Sequence, residues 1–205
     1  MNSVTAALQE LTFRDSIPDG LTMLSGASGS GKTIFAEQFA HEVLENDGRV
    51  FWITTEELPT TLRAGMAHFG WKVERFEASG KFQIIDAVSP ARLGLSENMG
   101  RGVLSLDPTG MLIAITEQLR TLDSPEDSAK FLVVVDSISR LLLSCETKSV
   151  IDFVSCLSSR LENFRTKGIA TIAEGAHDEK ILNAITFSCS GTIPVSYTHL
   201  TLPTN

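Results

Sequence analysis

The chain has 205 residues, a net charge of −8, 42% apolar residues and 20% charged residues, the mix of one ordinary globular domain with a single substantial core. The acidic balance disfavours a general grip on nucleic acid, and no apolar run approaches the roughly 18–20 residues of a membrane-spanning helix. Three scattered cysteines (Cys145, Cys156 and Cys189) without a C-x-x-C pair, and dispersed histidines, argue against a disulfide framework or a zinc site.

Met1 to Thr5 lack the basic start and apolar stretch of a secretory signal, so the expected address is cytoplasmic, without membrane insertion. Ile17-Pro18-Asp19-Gly20 is turn chemistry, and Leu21 to Leu24 follow it as a buried strand. From Thr33, the residues Ile34, Phe35, Phe39, Ala40, Val43 and Leu44 recur at helical spacing until Asn46-Asp47-Gly48 stops them. Val50 to Thr54 is the next strand, and Pro59 opens a helix whose apolar face is Leu62, Met66 and Phe69.

Phe82 to Asp86 is a third strand, and residues 87–106 read as a long surface loop. Asp107-Pro108 is an N-cap with proline at the first helical position, starting a helix to about Leu122; Asp123 to Ser128 is a polar connection. Phe131 to Val135 is too continuously apolar for a sheet with a wet face. A helix from about Ser149 to Arg165 leads through Gly168 to a last clear strand, Ile169 to Ala173. Strands buried on both faces and alternating with helices predict an α/β fold, a mainly parallel central sheet with helices on both faces.

One motif carries chemistry at once. Gly26-Ala27-Ser28-Gly29-Ser30-Gly31-Lys32-Thr33 fits G-x-x-x-x-G-K-[ST], a P-loop whose backbone N–H groups curl around the phosphates of ATP. Its Lys32 reaches the β and γ phosphates, its Thr33 hydroxyl ligates Mg²⁺, and the helix that starts there turns its positive end to the anion. Asp136 closes the strongest strand, where P-loop proteins place a carboxylate for Mg²⁺; without the P-loop it would be an ordinary strand end. Glu56 and Glu57 follow the neighbouring strand. Ser137 stands after Asp136, so the base that orients the attacking water falls to one of this pair, against the plainer reading of a solvated helix start. Which of the two it is stays open.

Together with Trp52 to Pro59, Phe69-Gly70-Trp71, Gly80 to Ala87, Val135 to Ser139 and Glu174 to Lys180, these residues resemble the KaiC-like branch of the RecA-fold P-loop ATPases over about residues 18–193. The resemblance implies ATP at Gly26 to Thr33, Mg²⁺ at Thr33 and Asp136, and a catalytic glutamate at Glu56 or Glu57. It also implies a homo-oligomer, ring or filament, with nucleotide at the subunit interface. The expected function is an ATP-hydrolysing switch or motor subunit that signals to an unidentified protein partner. Alternatives are a regulator that binds ATP and scarcely hydrolyses it, and a DNA recombinase-like ATPase using Arg92 and Arg101.

The resemblance has departures. No Gly-Leu-Asp stretch precedes the P-loop in Arg14 to Asp19, and Ser190 to Ile193 stand where the family has an Asp-Gly-Val-Ile type of strand. Val195 to Thr204 resemble the translation of a transposase-type sequencing adapter, although their alternation also suits a strand. The expected organisation is a lead-in over 1–17, the ATP-binding domain over 18–193, incomplete at its C-terminus, and a non-native tail over 194–205. His177, past the last clear strand, is a candidate γ-phosphate sensor or a plain loop histidine.

Overall fold

The computed structural model describes residues 17–89 and 106–196. In chain order the elements are β1 (Gly20–Gly26), α1 (Lys32–Glu45), β2 (Arg49–Thr54), α2 (Pro59–His68), α3 (Glu74–Ala78), β3 (Phe82–Asp86) and α4 (Pro108–Leu119). There follow α5 (Pro125–Ala129), β4 (Phe131–Asp136), α6 (Ile138–Ser144), α7 (Thr147–Asn163), β5 (Lys167–Ala173), α8 (Glu179–Phe187) and β6 (Gly191–Pro194). The strands form a six-stranded sheet in the order β3-β2-β4-β5-β1-β6, every pair parallel. No helix among the described residues is long and apolar enough to cross a membrane.

Alternation along the strands builds a core on each face. Phe131, Val133 and Val135 of β4 join Phe51, Ile53, Ala170 and Ile172 under α4, α6 and α7. Leu132 and Val134 join Trp52 and Ile169 under α1, α2 and α3. The same alternation carries Asp136 and Thr171 onto the α1 side. Register then sets depth: Thr54 lies beside Asp136, and Gly26 beside Ala173, so β1, β2, β4 and β5 finish along one edge. A parallel sheet gathers the functional ends of its strands there.

The expected strands and helices are present, with differences of local origin. The polar connection over 123–128 contains α5, because Ser124 caps Asp127 N–H ahead of Pro125, the same device by which Asp107 caps α4. Phe69 is not part of α2's buried face. It follows the helix end, is 47% exposed, and stacks on Trp71 at 5.0 Å between ring centroids. Helices α3, α6 and α8 add to the predicted set. Val195 N–H donates to Ser25 O at 2.7 Å, extending the pairing beyond β6. Arg92, Arg101 and residues 197–205, hence most of the segment read as adapter translation, lie outside the described residues.

Candidate functional site

The loop from β1 to α1 has the form the motif predicts. Gly29 and Gly31 sit at φ 75° and 94°, backbone that glycine adopts at no steric cost. Gly31 is the N-cap of α1, and no side chain caps the helix or places an acid in its first turn. The first N–H groups of α1 are therefore left for a ligand, and the helix favours an anion there. Lys32 Nζ donates to Gly26 O at 2.9 Å and to Ala27 O at 2.8 Å, folded back over the loop. Burial holds its ammonium below the ordinary lysine value, against the pull of Asp136, Glu56 and Glu174.

Thr33 Oγ1 donates to Asp136 Oδ2 at 2.9 Å, joining the P-loop to the end of β4. Thr171 Oγ1 donates to Asp136 Oδ1 from β5. Asp136 is 7% exposed, and burial pushes its carboxyl up to about 6 although both threonine hydroxyls oppose the shift. Such a group gains from a cation.

Thr55 Oγ1 accepts from Ser137 N–H at 2.6 Å and donates to Ser137 O at 2.8 Å, locking the turn after β2 to the turn after β4. Ser137 Oγ donates to Glu56 Oε1. This turns the Glu56 carboxylate toward the end of β4. Glu57 is anchored through its backbone, since Thr54 Oγ1 donates to Glu57 O.

A cleft of about 580 Å³ opens over this edge, lined by Ser28, Gly29, Gly31, Lys32, Thr33, Glu56, Glu57 and Asp136 together with Ser137, Thr171 and Ala173. Its size falls within the roughly 300–1,000 Å³ of small-molecule sites. Of the other P-loop positions, Gly26 ends β1, Ala27 supplies its carbonyl to Lys32, and Ser30 is buried with its hydroxyl unpartnered. His177 does not line the cleft, and its Nε2 is buried without a partner. Sequence reasoning missed Thr171, Ser137 and Glu37, which also lines the cleft. Thr171 did leave a signal, a lone hydroxyl in the apolar run Ile169-Ala170-Thr171-Ile172.

No three or more His, Cys, Asp or Glu side chains among the described residues are arranged to hold a metal by themselves. The donors that do converge, a threonine hydroxyl and one carboxylate beside an anion cradle, fit Mg²⁺, which takes one or two protein ligands and shares phosphate oxygens.

A parallel sheet with a glycine-rich loop entering an uncapped helix defines a RecA-like P-loop ATPase domain. The family model described as "ATPase: KaiC" matches residues 3–201, and the chain belongs to that family. Among relatives, a UPF0273 protein of Pyrobaculum aerophilum is 29% identical over 145 residues, 70% of this chain and 50% of that protein. The circadian clock protein KaiC3 of Synechocystis is 41% identical over 66 residues, 32% of this chain and 13% of that one. The chain spans about half the length of the UPF0273 relatives it matches. Among solved structures, the flagellar accessory protein FlaH of Methanocaldococcus jannaschii superposes with a TM-score of 0.62 at 19% identity, over 89% of this chain and 74% of that one, a likeness of fold.

Proposed function

We propose that the chain binds ATP with Mg²⁺ in this cleft and hydrolyses it, with Glu56 as the base. The observation that supports the reading is the Ser137–Glu56 hydrogen bond beside the Thr33–Asp136 pair, which sets a carboxylate next to the residues we assign to the metal. The loop N–H groups and Lys32 hold the phosphates, Lys32 exchanging its Gly26 and Ala27 carbonyl contacts for phosphate oxygens. Thr33 and Asp136 hold Mg²⁺, which when bound offsets charge on the phosphates. Glu56 takes a proton from water as the water oxygen bonds to the γ-phosphorus; the bond from that phosphorus to the bridging oxygen breaks, and ADP and phosphate leave.

Lys32 is the one cationic side chain among the described residues that line the cleft. That favours a homo-oligomer in which a neighbouring copy faces the nucleotide and supplies further positive charge. The reading includes a cytoplasmic location, a switch or motor role toward a protein partner, and an ATP-binding domain over about 18–193.

Replacing each glutamate in turn tests the assignment. Glu56→Gln is expected to cut phosphate release about 10²–10⁴-fold with MgATP affinity kept, while Glu57→Gln has the smaller effect. The reverse ranking moves the base to Glu57. A wild-type chain that binds MgATP without turnover makes it a regulatory module instead.

A further inference from the structure

The buried positions of α1 are apolar (Ala36, Phe39, Ala40, Val43 and Leu44) with one exception, Glu37, which is 3% exposed. It stands one helical turn after Thr33 on the same face, and helical side chains lean toward the N-terminus, which returns its carboxyl toward Thr33. The carboxyl opens into the cleft shared by Thr33, Glu57 and Asp136. No described residue donates a hydrogen bond to it, and the charges it faces are those of Asp136 and Glu57.

Space for this side chain comes from Gly65, inside α2 on the opposite wall. A β-carbon there would stand 3.2 Å from Glu37 Oε1. A glycine in a helix interior is unfavourable against alanine. A carboxylate enclosed without a donor is unfavourable until it is protonated or matched. Two local rules broken at one contact mark a functional position.

The missing partner has to bring positive charge and hydrogen-bond donors. Lys32 is turned to the Gly26 and Ala27 carbonyls, and no metal cage of side chains exists among the described residues. Hydrated Mg²⁺ supplies both, because it keeps several of its waters and their hydrogens need acceptors.

We propose that Glu37 accepts a hydrogen bond from a Mg²⁺-bound water and holds the hydrated ion against Thr33 and Asp136 from the α2 side. The proposal rests on the MgATP reading of the cleft. Residues that act on a metal through its waters or ligands are worth about 10–100-fold in metal affinity.

Calorimetry of ATP binding in EDTA and in Mg²⁺, on wild type, Glu37→Gln and Glu37→Leu, tests it. The expected result is unchanged affinity in EDTA and loss of about 10-fold or more of the gain that Mg²⁺ confers, greater in Leu than in Gln. Near-isosteric Gln guards against misfolding of the Leu variant. An undiminished Mg²⁺ gain in both variants overturns the proposal, and so does an equal loss with and without Mg²⁺, which marks a packing role. Wild type that binds no ATP under either condition refutes the underlying reading instead, and shows before any variant is made.

Discussion

The two ends of the sheet treat charge in opposite ways. At the amino ends of the strands the cations are matched. Lys167 donates to Ile17 O and lies 3.5 Å from Asp19, Lys130 is 3.2 Å from Glu126, Lys81 pairs with Asp47, and the Arg49 guanidinium sits 5.5 Å from the Phe131 ring centre. At the carboxyl ends, burial pushes Asp136 up to about 6 and Glu37 up to about 8, and holds Lys32 below its ordinary value. At one end the charges are paired within the fold; at the other they are enclosed around the cleft. Perturbed groups gathered in a cleft are the physical mark of such a site.

The sharpest way to break this contrast is Asp136→Asn. Turnover is expected to fall roughly 100-fold or more, because the variant weakens Mg²⁺ binding. Stability of the nucleotide-free protein is expected to rise above pH 6 in urea melts, because a carboxyl pushed up to about 6 no longer has to ionise. Lys167→Met makes the reciprocal test at the other end. It should lower stability by about 1–3 kcal/mol, since a charged donor to a buried carbonyl is lost, and leave ATP affinity unchanged. Thr171→Val keeps shape but removes a donor to Asp136. The expected cost is about 1 kcal/mol in the same melts, with weaker Mg²⁺ dependence of ATP binding.

Titration sharpens the same comparison with a smaller signal. Glu37 and Asp136 have folded-state values above their ordinary 4.5 and 3.8, so the folded chain holds protons that the unfolded chain has released. Their stabilising contribution is complete below those ordinary values and is lost as pH rises through about 6 for Asp136 and about 8 for Glu37. Urea midpoints of the nucleotide-free chain should therefore fall between about pH 4 and pH 8, and Glu37→Gln should flatten the slope between about pH 6 and pH 8, where Glu37 alone still titrates. Equal slopes in the two proteins would contradict the placement of Glu37.

Much of the fold was legible because the signals are local. Phe131 to Val135 is a continuous apolar run, Asp107-Pro108 caps its own helix, and the P-loop is a contiguous motif. The shorter helices were harder. In α8, Asp178 caps Lys180 N–H ahead of Ile181, Leu182 and Ile185, a signal that was present but short. The site was legible where it is contiguous and hidden where it depends on register. Thr171 reaches Asp136 only because β4 and β5 are neighbours in the sheet, and Ser137 reaches Glu56 only because β2 and β4 end together. Glu37 was hidden differently. A glutamate in an amphipathic helix reads as solvent-facing by default, and only the α2 wall with Gly65 shows that this one is enclosed.

The central claim is that the open, charge-frustrated edge of the sheet is a nucleotide site. Equilibrium binding of MgATP to wild type and to Lys32→Met tests it most directly. Saturable binding by wild type, weakened roughly 100-fold by loss of the ammonium that reaches the phosphates, is the predicted result. Equal affinity in the two proteins, with both folded, would contradict it.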